Sequence, residues 1–169
     1  MKRVKLKYFA CGLILLGLTS CLNPFAPKLD NSIGSESTLI SDQSTVEDVF
    51  RNFQYAYTFK DTTIYGKLLS DDFTFVYRDY DKEVDVAWGR DEEMKVTYGL
   101  FNNSERIDLI WNNIISVTSD STNIIRSFNL TVTFNPTDII FVDGRVNLDL
   151  RKNEQNKWQI VNWLDESNF

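Results

Sequence analysis

The sequence predicts an α+β protein in which one sheet is covered on a single face by helices. Two observations carry this. Apolar residues recur at helical spacing over about 46–57, and they alternate strictly with polar ones in long runs beyond residue 106. Such alternation gives a sheet one apolar and one polar side, as expected of antiparallel strands packed on one face only. Read along the chain, the order is α-α-β-β-α-β-β-β-β.

The first helix opens at Ser44, where Ser44-Thr45-Val46-Glu47 has the form of a capping box, with Ser44 at the N-cap and Glu47 reaching back. Val46, Val49, Phe50, Phe53 and Tyr57 then fall on one stripe. A shorter helix follows the cap signal Asp61-Thr62, with Ile64, Tyr65, Leu68 and Leu69 inward, and Ser70-Asp71-Asp72 is expected to end it. Phe73, Phe75 and Tyr77 alternate with Thr74, Val76 and Arg78 as a strand. Asp79 to Lys82 reads as a turn and Glu83 to Trp88 as a short return strand. Gly89-Arg90-Asp91 leads into a third helix, whose inner face is predicted at Met94, Tyr98 and Phe101. Four strands follow at 107–117, 123–134, 139–151 and 158–165, separated by SDST, NPT and KNEQNK.

Ahead of this domain stands a different kind of sequence. Lys2, Arg3, Lys5 and Lys7 precede an apolar run from Tyr8 to Leu18. A membrane-spanning helix needs about 20 apolar residues; this run suits the core of a secretory signal peptide instead. Leu18-Thr19-Ser20-Cys21 resembles the bacterial lipobox, in which the cysteine is acylated and becomes the first residue of the mature chain. More than one acyl chain on Cys21 would give stable anchoring, at ~0.8 kcal/mol per buried methylene. The expected division is residues 1–20 as signal peptide, 21–43 as acylated cysteine and flexible tether, and 44–169 as the folded domain. The expected location is the cell envelope, and the outer membrane if the host is diderm, since Leu22 rather than Asp follows the cysteine.

Removal of the leader would leave 14 Lys+Arg against 24 Asp+Glu, a net charge of −10. Such a chain repels nucleic acid, which is not expected as a partner. Cys11 would be lost with the leader, so no intramolecular disulfide is expected. Histidine is absent from the whole sequence. That excludes Ser-His and Cys-His nucleophile systems and disfavours most zinc and iron sites. Neither a cofactor nor a metal is expected, and any enzyme here would run on carboxylates, Tyr, Lys or Arg.

The element order, with LLSDDFTF (68–75), WGRDEEM (88–94) and the closing WQIVNWLDE (158–166), resembles the nuclear transport factor 2 superfamily, which includes SnoaL-like proteins. The resemblance covers about residues 44–166 and rests on packing and turn features rather than a catalytic motif. It implies a cone whose curved sheet and helices enclose a pocket. Enzymes of that superfamily place an acid or base inside it.

Strand parity puts Phe73, Phe75, Tyr77, Phe128, Leu130, Val132, Phe134, Val146, Leu148 and Leu150 inward. That set holds no carboxylate, while Asp108 and Asp149 fall on the polar side. Tyr57, Tyr77, Trp88 and Arg126 are the candidate ligand-binding residues at the pocket. The alternative is that the tyrosines are core residues and Arg126 a frayed strand end. Asp79, Asp81, Glu83 and Asp85 resemble the start of a calcium loop, but Val84 and Arg90 stand where Gly and Glu are needed, so a solvated hairpin tip is expected. No catalytic residue is assigned. The functional expectation is therefore a tethered, non-catalytic module for a small apolar ligand or a protein partner, with a homodimer through the outer sheet face as a further arrangement. The alternative is a SnoaL-like isomerase, dehydratase or cyclase using a carboxylate base, with Asp79 leading.

Overall fold

The computed structural model describes residues 40–168. The signal peptide, Cys21 and most of the tether expected from the sequence lie outside the described residues. Three helices and six strands follow in the predicted order: α1 (Val46–Phe59), α2 (Thr62–Leu68), β1 (Leu69–Asp79), β2 (Val84–Gly89), α3 (Arg90–Asn103), β3 (Arg106–Val117), β4 (Asn123–Asn135), β5 (Asp138–Lys152) and β6 (Trp158–Asn168). The strands form one sheet in the order β2-β1-β6-β5-β4-β3. Neighbours are antiparallel except β1 and β6, which run parallel because the C-terminal strand inserts beside the first one.

The apolar stripe of α1 is buried as its spacing predicts, with Val49, Phe50, Phe53 and Tyr57 all in the core. Its cap sits one residue later than expected. Thr45 is the N-cap, its side chain accepting from the Asp48 backbone N–H, while the Asp48 carboxylate accepts from the Thr45 N–H. Asp is shorter than Glu, and it fits the reciprocal bond at this position while Glu47 is left free to reach Arg126. Just upstream, Ser41 is tied to Asn52, and the buried Gln43 bonds backbone carbonyls of Lys67 and Trp158. Part of the expected tether is thus fastened to the domain.

Asp61 caps α2, accepting from the backbone N–H groups of Thr63 and Ile64. Ser70-Asp71-Asp72 does not form a break, because β1 starts directly at Leu69. The three residues instead take up an irregularity in its pairing with β6.

Two irregularities set the direction of the C-terminal strand. Leu150 pairs with Ile160 and Asp149 with Asn162, so Val161 is an extra residue with no partner on β5. A bulge of this kind reverses the alternation beyond it. Ile160 is buried before it, and Trp163 is buried after it. Gly144 of β5 faces Ser167, and a Cβ there would lie 2.4 Å from the Ser167 Cα. Only glycine lets β6 come this close, and the close approach keeps the end of β6 paired beside β5.

Candidate functional site

The concave face and the helices enclose a cavity of about 410 Å³. Its walls follow from the patterns above. Inward strand positions contribute Phe75, Phe128, Leu130, Val132 and Phe134, and α1 contributes Phe53 and Tyr57. In all, nine aromatic side chains line it. They pack edge-to-face or offset: Phe75 stacks on Trp88 with centroids 4.6 Å apart, and Phe53 meets Trp163 at 5.4 Å and 69°.

Of the four predicted ligand-binding residues, Tyr57, Tyr77 and Trp88 line this cavity and Arg126 does not. The Arg126 guanidinium lies over the Phe50 ring at 4.7 Å, pairs with Glu47 at 2.9 Å and donates to the Asn112 carbonyl. It fastens α1 to the far strands. Asp79 is also outside the cavity. Its carboxylate caps the β1–β2 turn by accepting from the Lys82 backbone N–H and Nζ, and those hydrogen bonds hold its pKa below the usual carboxylate value.

The expectation that the cup holds no carboxylate is overturned. Glu93 and Asp165 both line it. Parity over the clear strands missed them for two separate reasons. Glu93 lies on α3, whose buried residues are Glu93, Thr97 and Phe101 rather than Met94, Tyr98 and Phe101; Tyr98 is 60% exposed. A reading that turns apolar residues inward rotates this helix by one residue, because its inner face carries an acid and a threonine. Asp165 lies beyond the Val161 bulge, which turns Trp163, Asp165 and Ser167 toward the cavity. Uninterrupted alternation from Ile160 would have sent Asp165 to the outer face.

The two acids have different surroundings. Glu93 is 4% exposed and accepts three hydrogen bonds: from the Tyr65 hydroxyl at 2.6 Å, the Thr97 hydroxyl at 3.1 Å and the Trp88 Nε1 at 2.8 Å. Three donors and no cation make an anchored carboxylate, since donors of this kind satisfy an acceptor-only group. Asp165 is bonded by Ser167, whose hydroxyl donates to it at 2.6 Å and whose backbone N–H donates as well. Burial pushes its pKa up, and the negative charges of Glu93 and Glu166 push it further, against the pull of the Ser167 bonds. Tyr57, whose phenol faces the hydroxyls of Tyr65 and Thr97, has its pKa raised by burial and by Glu93, so it is a neutral donor. The site therefore joins an anchored carboxylate, a less supported one and a phenol inside an aromatic wall.

A scan against protein-family models finds no match, and no curated protein matches the sequence. Solved structures do match in shape. A candidate scytalone dehydratase from Novosphingobium aromaticivorans superposes with a TM-score of 0.63 at 13% identity, covering 73% of this chain and 82% of that one. A candidate SnoaL-like polyketide cyclase from Jannaschia sp. CCS1 gives 0.54 at 16%, covering 80% and 92%. A nuclear transport factor 2-like protein of unknown function from Exiguobacterium sp. 255-15 gives 0.52 at 14%, covering 71% and 98%. At such identities the likeness concerns the backbone alone. The chain has the nuclear transport factor 2-like, SnoaL-like fold.

Proposed function

We propose that the cavity binds a small, largely apolar molecule and that Asp165 moves a proton on it, making the chain a SnoaL-like isomerase, dehydratase or cyclase. One observation carries this reading: a carboxylate whose hydrogen bonds come from Ser167 lines an aromatic and aliphatic cavity large enough for a small ligand. A carboxyl group placed so is costly unless it is used, and burial makes its carboxylate a stronger base. In an isomerisation, Asp165 would take a proton from a carbon beside a carbonyl group and return it to another atom of the same molecule. Tyr57 would donate a hydrogen bond to the oxygen that gains charge. Nothing is consumed in that cycle, and no histidine or metal is needed.

The test is deuterium uptake from heavy water into a panel of cyclic ketones, enones and aminoketones incubated with the full chain, read by mass spectrometry. Uptake that Asp165→Asn reduces by a hundredfold or more supports the reading. Compounds that bind without exchanging would restore the non-catalytic small-ligand module, which the nearly continuous aromatic and aliphatic lining favours.

We propose further that the domain is an envelope lipoprotein, held to a membrane by acyl chains on Cys21. The support is Leu18-Thr19-Ser20-Cys21 behind a basic start and a short apolar run. Incorporation of a labelled fatty acid, lost in Cys21→Ala, tests this. A homodimer through the outer sheet face remains the proposal for a protein partner, tested by mass measurement of the chain in detergent.

A further inference from the structure

The charges around the cavity are one-sided. Two carboxylates line it, and among the described residues neither Lys nor Arg does. Among the described residues no cation lies within salt-bridge distance of Glu93 or Asp165. A second hollow adjoins the first and shares Tyr77, Asp165 and Ser167 with it. Its other walls are Arg78, Asp79, Tyr80 and Asp81. The cations at this rim are engaged, Arg78 with Asp85 at 3.0 Å and Lys82 with Asp79 at 2.6 Å. The remaining walls combine nine aromatic side chains with aliphatic ones such as Leu130, Val132 and Val142, and aromatic rings attract positive charge through their quadrupoles.

We propose that the ligand of this cavity is an organic cation, a protonated amine carried on an aromatic or alicyclic body, whose ammonium group pairs with Asp165. The proposal rests on the cavity being the ligand site and names the class of molecule it takes. An anion would meet Glu93 and Asp165 without a partner and would be rejected. A neutral molecule would fill the apolar walls but bring no opposite charge to Asp165. An amine supplies the missing charge.

Proton bookkeeping follows from the same geometry. The groups around Asp165 are Glu93 of α3, Tyr57 of α1, Tyr77 of β1, Ser167 on its own strand, and Glu166, which Arg145 of β5 neutralises from the outer face. None is an unpaired cation. Burial and the neighbouring carboxylates shift Asp165 toward its protonated form in the empty cavity. A bound ammonium acts in the opposite direction and draws Asp165 toward the carboxylate as the ion pair forms. The base of the proposed proton transfer is thus drawn toward its ionised form when its substrate is present.

The test is a charge ladder on one ring system: 2-naphthylmethylammonium, 2-naphthylmethanol and 2-naphthoate, titrated calorimetrically into the full chain in detergent. The expected order is ammonium at least tenfold tighter than alcohol, with no binding of the carboxylate. Ammonium affinity should fall as pH is lowered and Asp165 takes up its proton, whereas the alcohol shows no such fall. Asp165→Asn should remove the tenfold preference and leave the alcohol unchanged. If the alcohol binds as tightly as the ammonium, or the carboxylate binds best, the cation is wrong while the cavity reading stands. If none of the three binds to the folded wild-type chain, both fall. The ladder on the wild-type chain needs no variant to fold.

Discussion

Trp88 and Glu93 lie on either side of the junction between β2 and α3 and are joined by a 2.8 Å bond from the indole Nε1 to Oε2. The bond sets the plane in which Trp88 stacks on Phe75 and so fixes one wall of the cavity. Tyr65 and Thr97 hold the other oxygen of the same carboxylate. One acid thereby ties α2, α3 and β2 together.

Glu93→Gln keeps the shape but replaces an acceptor oxygen with a donor, facing hydroxyl and indole donors. The expected loss of stability is ~1–3 kcal/mol. A red shift of tryptophan fluorescence should accompany it as Trp88 loosens. Denaturant titration with emission spectra checks both, and an unshifted, equally stable variant would refute the tie.

Asp165→Asn should stabilise the fold by ~0.5–2 kcal/mol near neutral pH while abolishing proton transfer, the trade expected of a strained functional group. The sign follows from its raised pKa. The folded chain keeps the Asp165 proton more tightly than the unfolded one. Its contribution is therefore fully present below the unfolded value of 3.8 and is lost as pH rises through the higher folded value. Melting curves of both forms should converge toward acid pH and separate toward neutral. A gap that widens in acid would contradict the assignment.

Thr45→Ala and Asp48→Ala each remove half of the reciprocal cap, at ~1 kcal/mol apiece, and their sum should be less than additive because the bonds share two residues. Burial opposes ionisation of Asp48, but the Thr45, Ser44 and Ser41 bonds win and lower its pKa. This contribution is present above the unfolded value of 3.8 and fades as pH falls below it. A double-mutant cycle by denaturant unfolding at neutral pH measures the coupling.

Gly144→Ala would put a methyl group 2.4 Å from the Ser167 Cα, a backbone atom that cannot rotate away. The expected cost is ~1–3 kcal/mol. The displaced end of β6 would move Asp165 as well, so ligand binding should weaken more than stability alone explains. Thermal melts alongside the ammonium titration separate the two effects.

Arg126→Ala should cost ~1–2 kcal/mol through the lost cation–π contact with Phe50 and the lost pair with Glu47. Ligand affinity at saturating folded protein should not change, because Arg126 does not line the cavity. A tenfold loss of affinity with normal melting would return it to the site.

The order of elements was written in the sequence because local rules govern it. The α1 stripe, the Asp61 cap and the alternation from Phe128 to Phe134 each need only neighbouring residues to be read, and each lies where its spacing puts it. The helix stripe and strand parity likewise turn Tyr57 and Tyr77 inward, and both line the cavity, as does Trp88. The carboxylates were decided by tertiary structure. Glu93 is turned inward because Tyr65, Thr97 and Trp88 converge on it from three elements, and hydrogen bonds replace its water. Asp165 is turned inward by one unpaired residue, Val161, whose effect depends on how β6 meets β5. Periodicity sorts residues by their affinity for water; only the assembled sheet and helices show where partners make an acid tolerable inside.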